Sequence, residues 1–255
     1  MKQLSMNKIL YAAVIVTAFV ACAEQYTESY NIQGSSSVSV LDGSKLYLKT
    51  MMGDELKNID SCEVVHGGFG FIGRLDTVRI AMLSVREGSM PLVIEKGDIY
   101  VSIDRTGNKV SGTPLNELLY DYMDKLLQFT NLRSELGHKE AQMFLEGFDE
   151  QTIAEKLTIE DNVLLQKIDS LETRFILDNL DNVLGPCAFQ ILTSSYQYPV
   201  LTPQIEEIMG KATDKFRNDR YVSEYYSKAR EIMARLRGEI ENTTMTADST
   251  GGRQP

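Results

Sequence analysis

The chain has 255 residues, of which 43% are hydrophobic, 24% charged and 8% aromatic, enough to bury one large core or two smaller ones. Its 26 Lys+Arg against 36 Asp+Glu leave a net charge of −10, so no chain-wide positive field exists to hold a phosphate backbone, and nucleic acid is not an expected partner. Three cysteines and two histidines, with no Cys-x-x-Cys pair, give neither a disulfide framework nor a zinc cluster; no metal and no cofactor is expected.

The N-terminus reads as a targeting segment. Lys2 and Lys8 precede an apolar run from Ile9 to Ala21, which spans about 20 Å at ~1.5 Å per residue, short of the ~30 Å hydrocarbon core of a bilayer. Residues 1–21 therefore read as a secretory signal rather than a permanent span. Phe19-Val20-Ala21-Cys22 resembles the lipobox of bacterial lipoproteins, with Phe19 departing from the usual Leu. The resemblance implies cleavage before Cys22 and acylation of Cys22, so that lipid holds the protein on a membrane. Removing the signal discards two lysines and no acid, which leaves an acidic body repelled by anionic lipid surfaces. The expected location is the cell envelope, anchored by lipid to the outer membrane on its periplasmic or surface face.

Residues 22–29 are polar and read as a tether. From Tyr30 to Gly112 short apolar alternations are separated by Gly, Asp and Asn. Tyr30–Ile32, Lys45–Lys49, Leu56–Val65, Phe69–Ile72, Val78–Leu83, Pro91–Glu95 and Asp98–Ile103 fit strand lengths and a period of two. Their spacing predicts an antiparallel β-sandwich or barrel-like domain over residues 30–112. His66-Gly67-Gly68 supplies a tight turn followed by Phe69 and Phe71 on one face, a hairpin signature.

At Gly112-Thr113-Pro114 the pattern changes: Thr113 suits a helix cap, Pro114 its first position, and Leu115, Leu118, Tyr122, Leu126 and Phe129 recur at helical spacing. A break is expected near Gly137-His138. Leu157, Leu164, Ile168, Leu171 and Phe175 form a second stripe, ending at Gly185-Pro186. A short apolar helix follows from Cys187 to Tyr196, then a loop bracketed by Pro199 and Pro203. Val222, Tyr225, Ala229, Ile232, Leu236 and Ile240 give a last amphipathic helix. The fold class is thus α+β, with a helical region over residues 113–241 and a Thr/Ser/Gly-rich tail over 242–255 expected to be disordered.

The ordered series Ile59–Gly73, Pro91–Ile103 and Val110-Ser-Gly-Thr-Pro-Leu-Asn116 resembles the domain of unknown function numbered 4369. That domain precedes the thioredoxin-like domain of many thiol:disulfide-interchange lipoproteins of Gram-negative envelopes. The helical part, with Asp181–Pro186, looks like the linker of the same proteins, and the resemblance covers roughly residues 28–240. In that family a thioredoxin fold with a Cys-x-x-Cys motif follows the last helix, whereas here the chain stops at Pro255. The family's catalytic residues have no positions here to be carried onto, and the accessory module is expected alone.

Several residues invite chemical readings. Gly68-Phe-Gly-Phe-Ile-Gly73 matches G-x-G-x-x-G, but a dinucleotide site needs a helix after those glycines, and a strand-like run follows. Cys62, beside Glu63, and Cys187, on an apolar helix, suit packing more than reactivity. His66 and His138 have no partner ligands nearby in sequence and read as surface histidines. Ser194-Ser195 lies outside a G-x-S-x-G elbow and reads as a helix end. Asp149-Glu150, Glu160-Asp161 and Glu206-Glu207 suit helix starts or solvated faces. Asp76-Thr77-Val78, Asp169-Ser170-Leu171 and Asp248-Ser249-Thr250 look like a short O-glycosylation acceptor, with only the last expected to be exposed.

The tyrosines point to binding. Tyr196 and Tyr198 flank a loop, while Tyr221, Tyr225 and Tyr226 cluster at the start of the last helix; Tyr196, Tyr198 and Tyr226 are the binding candidates. With no acid/base, nucleophile or metal constellation, the expectation is a non-enzymatic, lipid-anchored envelope module that binds a partner such as a separate thioredoxin-like envelope protein. The alternative is thiol redox or chaperone-like activity through Cys62 or Cys187. A spacer role without a saturable partner is the third reading.

Overall fold

The computed structural model describes residues 28–52, 55–86 and 88–249. The signal, Cys22 and most of the tether lie outside the described residues, as do residues 250–255.

Eight strands build two four-stranded sheets: β1 (Ser29–Ser36), β2 (Lys45–Met52), β3 (Glu55–Glu63), β4 (Gly68–Arg74), β5 (Arg79–Val85), β6 (Gly88–Ile94), β7 (Gly97–Asp104) and β8 (Gly107–Ser111). The first sheet has the order β4-β1-β7-β8 and the second β3-β2-β5-β6. Alternation decides which side chains meet: Ile32, Phe71, Ile99 and Val101 of the first sheet share one buried core with Leu46, Leu48, Leu83 and Leu92 of the second, as expected where two amphipathic sheets stack.

The fold class is the one the sequence indicates, α+β with the strands first. Two details of topology differ. β1 and β7 run parallel, because the whole second sheet intervenes in sequence and supplies the long crossover that a parallel pair needs. The turn at Val65–Gly68 forms as expected, with φ of 51° at His66 and 76° at Gly67, but its arms part into different sheets. Val64 is held by the second sheet's side, donating to Ser44 O and accepting from Gly43 N, whereas β4 pairs with β1 from Gly68 onward. β8 escapes the sequence reading, since Gly107-Asn-Lys-Val-Ser111 carries a single apolar side chain inside the strand.

In the first sheet, two glycines lie directly opposite aromatic residues, Gly34 against Phe69 and Gly73 against Tyr30. A Cβ on Gly34 would sit 2.0 Å from the Phe69 ring, and one on Gly73 2.5 Å from Cζ of Tyr30. The rings lie across bare backbone, which is why glycine is tolerated inside these strands.

Six helices follow: α1 (Pro114–Leu145), α2 (Glu150–Asp178), α3 (Leu184–Thr193), α4 (Pro203–Lys211), α5 (Asp214–Arg217) and α6 (Arg220–Ser249). α1 runs through Gly137 and His138 without the expected break, because its residues there stay in an antiparallel hairpin with α2. Gly147, at φ 89°, ends α1, and the Asp149 side chain accepts from Thr152 N to start α2. Gly185 lies within the first turn of α3 rather than closing the helix before it. Its Cβ position is 2.5 Å from Asn179 O, so this approach of the chain requires glycine. The short α4 and α5 carry no sequence signature of their own; Ile205, Ile208 and Met209 are too few for a periodic signal, yet all are buried. α6 continues past Asn242 to Ser249, with no Gly or Pro between Asn242 and Ser249 to stop it.

A second buried cluster joins Tyr122, Ile176, Phe189, Ile208, Phe216 and Val222. Met123 and Phe175 contact both clusters, and Leu184 of α3 is buried in the first, so the helical region is joined to the sandwich through the first turns of α1, the end of α2 and the start of α3. Among the described residues no helix is long and apolar enough to cross a membrane.

Candidate functional site

α3 ends at Thr193, whose hydroxyl donates to Phe189 O at 2.7 Å. That hydroxyl has one proton, so at its 2.8 Å contact with Tyr221 OH the tyrosine is the donor. One turn further along α6, Tyr225 OH accepts from Val200 N at 3.1 Å and donates to Val200 O at 3.2 Å. Tyr225 thereby pins the loop between α3 and α4. Phe189 packs edge-on against Tyr225, with ring centroids 5.5 Å apart. These bonds fix a cleft between the loop and the start of α6.

The cleft has a volume of about 260 Å³ and is walled by Tyr196, Tyr198, Pro199, Tyr221 and Tyr225, with Glu224 and Lys228 on the α6 side. Small-molecule pockets usually hold about 300–1,000 Å³, so this one suits a single ring or a protruding side chain of a partner. Tyr198 is 58% exposed. Burial pushes the Tyr196 phenol up, against a hydrogen bond with Thr202 that lowers it. Burial also pushes Tyr225 up, against its bond to Val200. Both phenols therefore stay protonated near neutrality and offer apolar ring faces rather than bases.

The structure brings Tyr196 and Tyr198 together and adds Tyr221 and Tyr225, but Tyr226 is not among the cleft residues. It packs on the helical core with the Arg230 guanidinium 5.8 Å from its ring centroid. The reason is helical geometry: Tyr221 and Tyr225 are four residues apart and share a face, whereas Tyr226 is turned about 100° from Tyr225. That spacing was the available signal for the cleft.

Cys62 sits in β3 and Cys187 in α3, both as free thiols. Burial raises Cys62, opposed by a hydrogen bond to the Gly70 backbone, and burial pushes Cys187 up to about 11. Neither environment favours a thiolate. His66 lies in the β3–β4 turn and His138 on the exposed surface of α1. Among the described residues no group of three His, Cys, Asp or Glu side chains is arranged to hold a metal. The G-x-G-x-x-G segment is strand β4, with strand β5 next in the chain. Ser194 caps the end of α3. Glu160 and Asp161 pair with Lys139 and Arg133 across the α1–α2 hairpin. Of the O-glycosylation-like motifs, Thr77 and Ser170 are both exposed, contrary to the sequence expectation; the side chains of the third lie outside the described set.

The fold defines a two-sheet sandwich sealed by the start of a helix and extended by a helical region. Residues 30–119 match the family described as Domain of unknown function (DUF4369). The match ends at Leu119, inside α1. No curated protein and no solved structure matches the chain.

Proposed function

We propose that this chain is a lipid-anchored cell-envelope accessory module that works by binding, without catalysis of its own. In this reading Cys22 carries the lipid that ties the protein to the outer membrane. The body then recruits a partner, such as a separate thioredoxin-like envelope protein, through the tyrosine cleft.

The observation that carries the proposal is the cleft. Its interior hydroxyls are already committed to Thr193 and Val200, which makes it a rigid aromatic socket rather than a proton-transfer site. The raised thiols of Cys62 and Cys187 support binding over thiol chemistry.

The test is crosslinking capture from native envelope with the full chain. Beside it run a Tyr196→Ala, Tyr198→Ala variant and a Cys62→Ser, Cys187→Ser variant. Capture of a thioredoxin-like protein by the wild type and the serine variant, and its loss from the alanine variant, supports the proposal. Mixed disulfides captured by the wild type and lost from the serine variant sink it in favour of the redox reading. Equal capture by the alanine variant removes the cleft from it.

A further inference from the structure

Hydrogen bonds fix the end of the sandwich at which the chain enters. Glu28 O accepts from Leu75 N at 2.7 Å, and the Glu28 carboxylate meets Lys96 at 3.1 Å. Four residues after Leu75, β5 begins at Arg79, and Ile80 O accepts from Thr50 Oγ1 at 3.0 Å. Met51 and Met52 come next along β2, so the β2–β3 hairpin turns at the entry end. The far end holds Ser36, Lys45, Glu63 and the Val65–Gly68 turn, where Ser36 N donates to Gly67 O. α1 leaves the entry end by running back along β6, with Asn116 beside Val93 and then Tyr120 beside Pro91.

The hairpin outruns its sheet. β2 pairs with β5 only from Leu46 to Thr50, whereas its pairing with β3 continues through Met51–Leu56 and Met52–Glu55. Those two rungs reach about 7 Å past the last three-stranded rung, at ~3.4 Å per residue. Met51 and Leu56 share one side and Met52 takes the other; they are 61%, 48% and 44% exposed. A bare apolar tip of two strands is a liability unless something covers it.

We propose that the bilayer holding the anchor covers it: Met51, Met52 and Leu56 dip into the interface of the membrane to which Cys22 is attached. The inference rests on the lipid-anchor reading. Glu28 is the sixth residue after Cys22, so an extended tether spans about 20 Å at ~3.4 Å per residue, and stacked sheets lie only ~10 Å apart. The end that carries the tip is therefore the end held at the membrane surface.

Three side chains on a tip two strands wide fall far short of the ~800 Å² that each partner gives to a stable protein interface. They suffice for a lipid surface, because the anchor makes this second contact intramolecular. Methionine, unbranched and adaptable, suits disordered acyl chains. The contact is apolar rather than electrostatic. In the hairpin Lys45, Lys49 and Lys57 stand against Asp54, Glu55, Asp60 and Glu63, and Lys57 is paired with Glu55 at 3.3 Å. Zwitterionic lipid is thus the surface the tip takes.

The test uses the full chain matured in its own envelope, with acylation of Cys22 read first by mass. The protein is placed in vesicles of phosphatidylcholine and phosphatidylethanolamine doped with a phosphatidylcholine that carries a diazirine on its acyl chain. Trypsin, cutting after Lys49 and Lys57, releases the tip as one peptide, residues 50–57. After illumination, lipid adducts are expected on that peptide at least about 10-fold above those on the exposed peptides of α1. A Met51→Ser, Met52→Ser, Leu56→Ser variant is expected to lose that excess while its circular dichroism and Cys22 acylation stay unchanged. All three positions are exposed, so loss of folding does not mimic the result. An acylated chain whose tip peptide carries no excess of adduct overturns the inference and leaves the anchor standing. A chain with no acyl group on Cys22 overturns both. An excess that persists in the serine variant overturns the inference as well, because the three apolar side chains then do not carry the contact.

Discussion

Asn116 and Val93 exchange two hydrogen bonds: Val93 N donates to Asn116 Oδ1 at 2.8 Å, and Asn116 Nδ2 donates to Val93 O at 2.7 Å. A side-chain amide here does what a neighbouring strand does for a sheet edge, because β6 is the last strand of its sheet and would otherwise bury an unpaired backbone unit. Tyr120 OH extends the seal, donating to Pro91 O at 2.9 Å. This relationship explains why the family match runs past the last strand: the sandwich is complete only with the first two turns of α1.

Replacing Asn116 by Leu keeps the branching at Cγ and removes both bonds. Two buried backbone groups left unsatisfied cost about 1–3 kcal/mol each, so Asn116→Leu is expected to destabilise by about 2–6 kcal/mol. The check is the urea midpoint at unchanged slope. A loss below about 1 kcal/mol would show that the edge finds other partners.

The same junction is capped from the strand side. Glu95 Oε1 accepts from Leu115 N at 2.8 Å and from Asn116 N at 3.1 Å, while Thr113 holds the cap position without a side-chain bond to the helix backbone. A carboxylate at a helix N-terminus satisfies orphan donors and complements the dipole. Glu95→Ala is expected to cost about 1–3 kcal/mol, and Glu95→Gln less, since it keeps an acceptor. Equal losses in the two variants, measured by denaturant unfolding, would locate the effect in packing instead.

How much of this was legible in the sequence depends on range. Thr113-Pro114 announced the start of α1, and the strand alternations announced the sandwich, because those signals lie within a few residues. Glu95 as the cap and Asn116 as the edge partner were invisible, since each acts on residues about twenty positions away. Tyr196 and Tyr198 stood out by composition, but Tyr225 read as core. Only the fold shows that one ring serves both the core and the cleft. The parallel placement of β7 beside β1 is likewise a fact of topology that alternation does not encode.

Glu172 predicts a pH dependence. Its carboxyl is buried in α2, and burial raises it above its ordinary value of 4.5, against a hydrogen bond from Gln204 and with Asp169 raising it further. The folded protein therefore holds this proton where the unfolded chain has lost it, so stability falls as pH rises from 4.5 through the raised value, then levels. Asp149 and Asp161 act oppositely and lower down: Thr152 holds the first, and Arg133 the second, below 3.8, so their contribution is lost as pH drops beneath that value. Glu172→Gln is expected to raise the melting temperature at pH 7.5 and to leave it nearly unchanged at pH 4. The same gain at both pH values would mean that the carboxyl's charge plays no part.

Cys187 supplies a kinetic readout. With its thiol pushed up to about 11 by burial, the thiolate fraction at pH 8 is roughly a thousandth. Alkylation of Cys187 in the folded protein is expected to be at least about 100-fold slower than in urea, resolved by peptide mass spectrometry. Comparable rates in the two states would mean that α3 opens readily, and would bring the thiol-redox reading back.

The glycine–aromatic pairs make a sharper test of packing than any single substitution. Gly34→Ala places a methyl 2.0 Å from the Phe69 ring, so the ring must leave its position, at a cost of about 1–3 kcal/mol for overpacking. Alanine is otherwise the better strand residue, because glycine loses more backbone freedom on folding. The sign of the effect therefore reports the ring alone. In a Phe69→Leu background the clash is relieved, and Gly34→Ala is expected to become neutral or stabilising, with a coupling of at least about 1 kcal/mol in the double-mutant cycle. Additive losses would show that Phe69 does not lie over Gly34, and that the first sheet is closed at β4 by some other contact.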